Sequence, residues 1–362
     1  MSKKAIFTQK LLAWFATNHR PMPWKGEKNP YFIWLSEIIL QQTTVRQGMP
    51  YYERFIENYP TIKDLAEAPQ DDVMKLWEGL GYYSRARNLH GTAKHISEVL
   101  DGIFPTHYEG LLTLKGVGTY TAAAIASFAY NLPHAVVDGN VYRVLSRVFG
   151  IEEPIDTPQA KRLFTELAND LLDKNRAADF NQAMMDFGAT QCTPSNPDCK
   201  NCTLKDICTA FLEQKTAVFP IKSKKIEKKT RYFNYLIINA GNITFVQKRN
   251  DKDIWQNLYE FPLIETSVLM ENLMDNVYTE GGANQSLKEL LSSPYRVLKK
   301  SQPYKQLLTH RVIIATFWEI EVSAEFSFTD EKILNIERKN LTKFAFSKVI
   351  DLYFRDKVLT LF

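Results

Sequence analysis

The four cysteines of the chain lie close together, and this clustering constrains the fold more than any other feature. They are Cys192, Cys199, Cys202 and Cys208, four side chains within the 17 positions 192–208 of a 362-residue sequence. The spacing is C-x6-C-x2-C-x5-C, and the Pro, Ser, Asn and Asp residues between them are typical of a loop. We expect such a loop to close around an inorganic group or to be cross-linked.

Three chemistries are compatible with four clustered thiols. Two disulfides are disfavoured, because the first residues show no signal peptide and disulfides persist mainly in secreted proteins. A structural zinc site usually has two C-x2-C pairs, whereas this loop has one, Cys199 and Cys202. Four thiolates in an irregular loop can also hold an iron–sulfur cluster. The residues themselves favour the cluster and leave zinc as the alternative.

Length and composition indicate a globular protein. At about 150 residues per domain, 362 residues correspond to two or three domains. Apolar residues make up 45% and charged residues 24% of the chain, which excludes a disordered, collagen-like or coiled-coil protein. The longest apolar stretches, such as 122–129, are far shorter than the roughly 20 residues that cross a bilayer. We therefore expect a cytoplasmic protein.

The pattern of apolar and charged residues changes along the chain. Residues 1–215 have apolar side chains at helical spacing, with 23 basic and 24 acidic residues, a net charge of −1. Residues 216–231 are predicted to form a basic linker and residues 232–362 an α+β domain; together they have 22 basic and 17 acidic residues, a net charge of +5. The patterns predict helices at about 120–131, 157–173 and 347–357, strands at 232–238, 243–247 and 312–322, and a hairpin at 239–242.

Two carboxylates are candidates for chemistry. Glu37 lies in the apolar segment WLSEIIL, on a helix predicted to follow Pro30. It is either exposed on an amphipathic helix or held among apolar groups, where its pKa would rise and it could act as a general acid. Asp138, in VDGNV, is either a helix cap or a catalytic carboxylate. The residues alone leave both alternatives open.

Two turn motifs suggest contact with a nucleic acid. Residues 114–121, LKGVGTYT, place Gly116 and Gly118 between two helical segments, where backbone amides can bind a phosphate or simply form a tight turn. Residues 80–89, LGYYSRARNL, combine aromatic side chains with arginines. That combination suits a wedge between bases with phosphate contacts, or else a buried tyrosine pair.

Taken together, these segments resemble the MutY-type adenine DNA glycosylases, within the helix-hairpin-helix DNA glycosylases that carry an iron–sulfur cluster. The matching segments cover nearly all of residues 8–210: PYFIWLSEIILQQT (30–43), LWEGLGYYSRARNLH (76–90), LKGVGTYTAAAIAS (114–127), VVDGNVYRVLSRVF (136–149), FNQAMMDFGATQC (180–192) and the cysteine loop. The resemblance implies a mainly α helix-hairpin-helix glycosylase region over 1–215, with the four cysteines holding a [4Fe-4S] cluster.

The resemblance implies a monomer that removes adenine mispaired with 8-oxoguanine or guanine in double-stranded chromosomal DNA. Glu37 matches the acid that protonates adenine N7 and then helps to activate water. Asp138 matches the carboxylate that stabilises the sugar cation or bonds to C1′, and Asn140 helps to place the water. Related strand-cleaving enzymes have a Schiff-base lysine where this chain has Tyr120, and Lys115 lies outside that position. The resemblance therefore implies a monofunctional enzyme.

Further binding residues are implied by position. Arg20, Trp24 and Gln182 are expected to line the adenine pocket. The residues expected to wedge into the duplex and contact 8-oxoguanine are Gln42, Thr43, Leu80 and Tyr82. The amides of Gly116 and Gly118 are expected to bind a phosphate, and the 200–205 loop is expected to lie against DNA.

The C-terminal segment 232–362 resembles the Nudix-like domain that reads 8-oxoguanine in the same family. The match rests on NLYEFPLIE (257–265) and on Leu308, Thr309 and His310, which stand where the family has Phe-Ser-His. Thr309 keeps a hydroxyl for the lesion, whereas Leu308 lacks the aromatic ring. Residues 281–293 lack the run of carboxylates found in a Nudix pyrophosphatase, so we expect base recognition rather than nucleotide hydrolysis.

Three other functions are weighed against this one. A bifunctional pyrimidine glycosylase is disfavoured by Tyr120 and by the C-terminal half. A lesion sensor without catalysis is disfavoured because both Glu37 and Asp138 are present. A nucleotide-pool hydrolase is disfavoured by the missing carboxylates in 281–293.

Overall fold

The computed structural model of the chain describes residues 1–223, 227–273 and 285–359. It divides into two compact units, Met1–Glu67 with Asn88–Lys225 and Ala68–Arg87 with Ile226–Phe362. The segment 68–87, which the sequence pattern places in the helical region, is thus grouped with the second unit. The linker bounds at 216 and 231 stay a prediction. Over the described residues, every helix is too short or too polar to cross a membrane.

The first unit is helical. Its helices are α1 (Lys3–Asn18), α2 (Pro30–Leu40), α3 (Val45–Asn58), α4 (Ile62–Glu67), most of α6 (Ser84–Val99), α7 (Tyr108–Leu112), α8 (Thr119–Tyr130), α9 (Gly139–Phe149), α10 (Pro158–Leu171), α11 (Ala177–Thr190) and α12 (Thr209–Leu212). The helices predicted at 120–131 and 157–173 are confirmed as α8 and α10.

Local sequence signals start several of these helices. The side chain of Asn29 accepts a hydrogen bond from the Tyr31 amide at 3.0 Å, and Pro30 occupies the first turn of α2. Thr157 caps α10 in the same way, with Pro158 at its start. A cap satisfies an amide that has no partner inside the helix, and proline has no amide to satisfy.

A core of apolar side chains lies between α1, α9, α10 and α11. Phe7 and Leu11 from α1, Val144 from α9, Phe164 from α10 and Phe180 from α11 are all buried there. Helix α8 packs against α2, α7 and α11. This packing brings the ends of α2, α8, α9 and α11 into one region of the unit.

The second unit contains a mixed sheet. Its strands are β1 (Lys229–Ala240), β2 (Ile243–Lys248), β3 (Tyr259–Glu260), β4 (Leu263–Thr266), β5 (Tyr295–Lys300), β6 (Tyr304–Leu307), β7 (Arg311–Val322) and β8 (Ile333–Glu337), with helices α5 (Gln70–Leu76), α13 (Gln285–Ser292) and α14 (Lys348–Leu359). The order is β3-β2-β1-β7-β5, in which β1 and β7 run parallel. The remaining strands β4, β6 and β8 pair with β1, β7 and β2.

The predicted α+β texture of the C-terminal half is confirmed. The runs 232–238, 243–247 and 312–322 lie in β1, β2 and β7, and residues 347–357 largely coincide with α14. The predicted hairpin joins β1 to β2, with Gly241 in the left-handed region at φ +59°. Part of the segment 281–293, namely 281–284, lies outside the described residues.

Gly150 illustrates how tightly α9 meets the cysteine loop. It ends α9 at φ +67°, and a Cβ atom there would lie 2.7 Å from Cγ2 of Thr209, the residue after Cys208. Thr209 is held by hydrogen bonds from its hydroxyl to the Val148 carbonyl and from Lys3 Nζ to that hydroxyl. The threonine therefore cannot rotate away without losing these bonds.

We expect Gly150→Ala to lower the free energy of unfolding by about 2–3 kcal/mol, since left-handed strain and overpacking add. Gly102→Ala is the matched control, because Gly102 has φ +76° with no atom within 4 Å of the added carbon. It should cost only about 1 kcal/mol of backbone strain. Urea denaturation of both variants measures the difference, and equal losses would show that the contact with Thr209 has no cost.

Candidate active site and cysteine loop

An open cavity in the first unit collects eight of the predicted site residues. It is bordered by the loop after α1, by α2, by the start of α8, by the start of α9 and by α11. The predicted residues among its lining are Arg20, Trp24, Glu37, Thr43, Tyr120, Asp138, Asn140 and Gln182. Segments that are far apart in sequence thus supply one site.

Glu37 is buried on α2, with 8% of its surface exposed. Burial raises the pKa of Glu37 to about 7, and the nearby charge of Asp138 acts in the same direction. A hydrogen bond with the Tyr120 hydroxyl opposes this shift. The alternative of an exposed position on an amphipathic helix is therefore wrong, because α2 is buried continuously from Ile33 to Ile39. Near neutral pH this carboxyl can hold a proton and release it.

Asp138 does cap a helix, as one of its two sequence interpretations predicted. Oδ1 accepts a hydrogen bond from the Val141 amide at 2.8 Å at the start of α9. Oδ2 accepts one from Asn140 Nδ2 at 2.7 Å, and the residue lies in the lining of the cavity. Burial raises the pKa of Asp138, while these bonds and the charge of Arg143 favour its ionised form. Capping thus occupies one carboxylate oxygen, and the other is bonded to Asn140, which also lines the cavity.

Arg143 and Arg147 connect the cavity to the cysteine loop, and neither was predicted from the sequence. Arg143 donates to Asn140 Oδ1 at 2.8 Å and to the Cys192 carbonyl at 2.7 Å. Arg147 donates to the Thr193 carbonyl at 2.7 Å and approaches Cys192 Sγ at 3.4 Å. Both arginines lie four residues apart on the buried face of α9. Charged residues at core positions of an amphipathic helix were the available signal.

The loop after α1 contributes Arg20 and Trp24 to the cavity, where Gln182 on α11 also lies. Trp24 packs edge-to-face on Tyr52, with ring centroids 5.1 Å apart. Asp186, which was not predicted from the sequence, is fully buried below this loop and accepts hydrogen bonds from Arg20. This wall of the cavity is therefore built around an ion pair.

The turn after α2 separates the two predicted contact residues that follow Gln41. Thr43 lines the cavity. Gln42 is exposed and lies outside the cavity lining that the described residues form. Gln42 has φ +56°, in the left-handed region that glycine favours. Such strain in a non-glycine residue is often associated with function.

The helical hairpin is present between α7 and α8, but its two glycines differ. Gly116 has φ +80°, and a Cβ there would lie 2.8 Å from Cβ of Asn88. Gly118 caps α8 at φ −92°, a backbone that any residue adopts, and a Cβ added at this position would meet no atom within 4 Å. Only Gly116 is required by the turn itself. Lys115 is exposed on the hairpin.

The predicted 8-oxoguanine contacts at 80, 82 and 309 lie in the second unit. Tyr82 is 49% exposed and has φ +48°, whereas Leu80 is buried. The hydroxyls of Tyr82 and Thr309 are hydrogen-bonded at 3.1 Å. His310 is exposed next to Thr309, and its carbonyl accepts from the Lys229 amide at 3.2 Å. Thr309 and Tyr82 therefore form one exposed polar pair, of which Leu80 is not a part.

The four cysteines line one cavity and are free thiols without disulfide bonds. Apolar side chains, including Val148, Phe187 and Phe211, form part of the remaining wall, which also contains Arg147 and Gln191. Cys202 Sγ accepts a hydrogen bond from the Leu204 amide at 3.4 Å. Among the described residues, no three metal-binding side chains converge as one ion requires.

The lining of this pocket is compatible with an inorganic group held by the four thiolates. Burial raises the pKa of Cys202 to about 11, and neighbouring cysteines act in the same direction. Four thiolates in such a pocket need a cationic group to neutralise them. Amide and guanidinium donors to sulfur, together with an apolar wall, are features of iron–sulfur sites.

Comparison with known proteins identifies the family of the chain. Residues 35–170 match the family model of the HhH-GPD superfamily base excision DNA repair proteins. The adenine DNA glycosylase of Buchnera aphidicola from Baizongia pistaciae is 40% identical over 71% of this chain and 73% of its own length. That of Arabidopsis thaliana is 36% identical over 77% of this chain and 50% of its own length. That of Homo sapiens is 43% identical over 58% of this chain and 40% of its own.

Solved structures agree on the fold. A thermostable thymine-DNA glycosylase superposes with a TM-score of 0.55 at 30% identity, covering 58% of this chain and 97% of that one. Endonuclease III trapped in a covalent complex with DNA has a TM-score of 0.52 at 22% identity, covering 59% of this chain and 99% of that one. At this identity the likeness concerns the fold and not the function. The predicted fold class, a helical glycosylase region followed by an α+β region, is confirmed. The chain belongs to the adenine DNA glycosylases of the MutY type, within the HhH-GPD superfamily of base-excision DNA repair proteins.

Proposed function

We propose that this chain acts as a monomer on duplex DNA and removes adenine opposite 8-oxoguanine or guanine by hydrolysis, without cutting the strand. The observation that carries the proposal is the pair of carboxyl groups in one cavity. Glu37 has a pKa of about 7, while Asp138 is held by hydrogen bonds that favour its anion. Cleavage of a glycosidic bond needs one group that donates a proton and one that stays negative.

The proposed reaction begins with adenine flipped out of the helix into the cavity. The Glu37 carboxyl gives its proton to adenine N7, and the bond between C1′ and N9 breaks with its electron pair on the base. The sugar is left as an oxocarbenium ion, which the Asp138 carboxylate stabilises. Water then adds to C1′ and its proton passes to the Glu37 carboxylate, which restores the acid. Asn140 bonds Asp138 and is suited to orienting that water.

The side chains of the cavity support hydrolysis over strand cleavage. A lyase needs an uncharged amine that attacks C1′. Tyr120 supplies a hydroxyl, and the two lysines of the described lining are engaged elsewhere. Lys25 bonds Asp186 at 2.5 Å, and Lys28 donates to the Phe128 carbonyl at 3.0 Å. Burial lowers the pKa of Lys25, and its bond with Asp186 opposes that shift. The amine of Lys25 is also held by the Arg20 carbonyl at 2.7 Å.

Cys192, Cys199, Cys202 and Cys208 are proposed to hold a [4Fe-4S] cluster. Hydrolysis transfers no electron, so the cluster when bound supplies a structural link rather than a chemical step. Lys10 Nζ donates to the Thr203 carbonyl at 3.1 Å, which ties α1 to the same loop. The loop is thereby suited to hold Lys200 and Lys205 near a phosphate backbone.

The second unit is proposed to be a Nudix-like reader of the base opposite adenine. The exposed pair Tyr82 and Thr309 supports this, since their hydroxyls lie outside the hydrogen bonding of the sheet and bond each other. Thr309 follows the half-buried Leu308 in a turn that is closed by the Leu308 amide and the Arg311 carbonyl at 2.9 Å. A hydroxyl on a fixed turn can distinguish 8-oxoguanine from guanine by hydrogen bonding.

The decisive test is single-turnover excision from a duplex with adenine opposite 8-oxoguanine, with adenine–thymine as the control duplex. We expect strand breaks only after alkali, because hydrolysis leaves an intact abasic strand. Glu37→Gln should bind the lesion duplex yet lose about three or more orders of magnitude in rate. Breaks without alkali, or adducts trapped by borohydride at the wild-type rate, would show a lyase. No excision by cluster-loaded protein would indicate a lesion sensor.

The buried acid should also leave a trace in stability. Its folded pKa of about 7 exceeds the ordinary 4.5, so the folded protein loses stability as pH rises above the lower value. Glu37→Gln has no such loss, and its advantage over wild type should grow by about 2 kcal/mol from about pH 5.5 to 8. Denaturation at several pH values measures it. Glu98→Gln, at an exposed site, is the control, and a Glu37→Gln advantage that stays constant with pH would contradict the raised pKa.

Thr309→Ala should weaken discrimination more than catalysis. Loss of the hydroxyl removes one hydrogen bond to the lesion base, so excision opposite 8-oxoguanine should fall by about tenfold while excision opposite guanine changes little. Thr309→Ser keeps the hydroxyl and serves as the control. Rates with the two duplexes are compared, and equal losses on both would argue against lesion recognition by Thr309.

A further inference from the structure

A fully buried carboxylate lies beneath the wall of the candidate cavity. Asp186 is on α11 with none of its side chain exposed. Its Oδ1 accepts from Arg20 Nε at 2.9 Å and lies 2.8 Å from Arg20 Nη2. Its Oδ2 accepts from Lys25 Nζ at 2.5 Å and from the Arg20 amide at 3.3 Å. Gln182, one turn earlier on α11, also reaches Oδ1, at 3.4 Å.

These bonds fix both ends of a short loop. Lys25 donates to the Arg20 carbonyl at 2.7 Å as well as to Asp186, so residues 20 and 25 are joined to the same anion. The loop between them has little regular structure of its own, apart from the bond from the Lys25 amide to the Met22 carbonyl. Trp24 lies within this loop and in the cavity lining. Its position therefore depends on Asp186.

The charges of Asp186, Arg20 and Lys25 strengthen the dependence of the loop on Asp186. Lys25 is 11% and Arg20 33% exposed, so neither cation is fully hydrated. A buried anion that accepts from two cations cannot be neutralised without leaving both charges unpaired. Of the guanidinium nitrogens, Nε and Nη2 of Arg20 are held by Asp186, whereas Nη1 has no partner among the described residues. Arg20 thus has the N–H groups of Nη1 left for a molecule in the cavity.

We propose that Asp186 is a positioning residue, which orients Arg20 and the loop 20–25 so that Arg20 and Trp24 meet the base that enters the cavity. The proposal rests on the proposed function of that cavity as an adenine site. Asp186 touches no reacting atom and acts through Arg20. Its removal should therefore slow excision more than it weakens binding of DNA that lacks the base.

The test uses the full cluster-loaded chain with Asp186→Asn, Asp186→Glu and the control Asp170→Asn. Like Asp186, Asp170 forms an ion pair with a lysine: its Oδ2 lies 3.0 Å from Nζ of Lys4 on α1. Unlike Asp186, its side chain is 63% exposed. Two quantities are measured: the single-turnover excision rate at saturating protein, and the Kd for a duplex with a tetrahydrofuran abasic analogue opposite 8-oxoguanine. The analogue has no base and does not depend on a base pocket.

We expect Asp186→Asn to be at least about 30-fold slower, with the analogue Kd changed by less than about threefold. Asp186→Glu, which keeps the anion one methylene further out, should be about three- to tenfold slower, and Asp170→Asn should match wild type. A double-mutant cycle combines Arg20→Met with Asp186→Asn. The double variant should be no slower than the slower of the two single variants, because both changes remove the same interaction.

Three results would overturn the proposal: a wild-type rate for Asp186→Asn, equal losses of rate and analogue affinity, or additive losses in the cycle. If Asp186→Asn lacks cluster absorbance or helical circular dichroism, the variant is misfolded and Asp186→Glu alone decides the test. A wild-type excision rate for Asp186→Glu would then overturn the proposal. Failure of wild type to excise adenine would instead contradict the proposed function, which keeps the two failures distinct.

Discussion

The guanidinium of Arg143 is the group on which both sites of the first unit depend. It is buried, so its donors must be satisfied by partners in fixed places. It bonds Asn140, the Gly188 carbonyl and the Cys192 carbonyl, which come from α9, α11 and the start of the cysteine loop. Because Asn140 accepts this bond through Oδ1, its amide nitrogen is directed to Asp138. The cavity and the cysteine loop are therefore held by one set of hydrogen bonds.

The same arrangement explains how one cavity gives two carboxyl groups different proton affinities. Asp138 receives bonds from the Val141 amide and Asn140 and lies near the Arg143 charge, all of which favour the anion. Glu37 is buried among apolar residues of α2, and its one favourable bond is with the neutral Tyr120 hydroxyl. Burial raises both pKa values, and the bonds and the Arg143 charge oppose the rise at Asp138. The difference in their partners separates acid from anion.

Local structure could be predicted from the sequence, whereas the assembly of the site could not. Pro30 and Pro158, each after a capping residue, indicate helix starts. The β-like runs on either side of 239–242 indicate a hairpin. Both signals act within a few residues. Glu37 and Asp138 meet only through packing of α2, α8, α9 and α11. Periodicity holds no information on such distant contacts, and the family resemblance supplied the pairing. The buried ionic groups of α9 and α11 were missed because each is defined by its partners.

The site is held at some cost in stability, and the framework offsets that cost. Gln42 beside the cavity has a left-handed backbone, and Glu37 is buried without a cation among the groups that set its pKa. Each such feature costs on the order of 1–3 kcal/mol. The offsetting contributions lie away from the cavity, in the apolar contacts between α1, α9 and α11 and in the caps of α2 and α10. A rigid framework is required because relaxation of α2 would remove the burial that raises the pKa of Glu37.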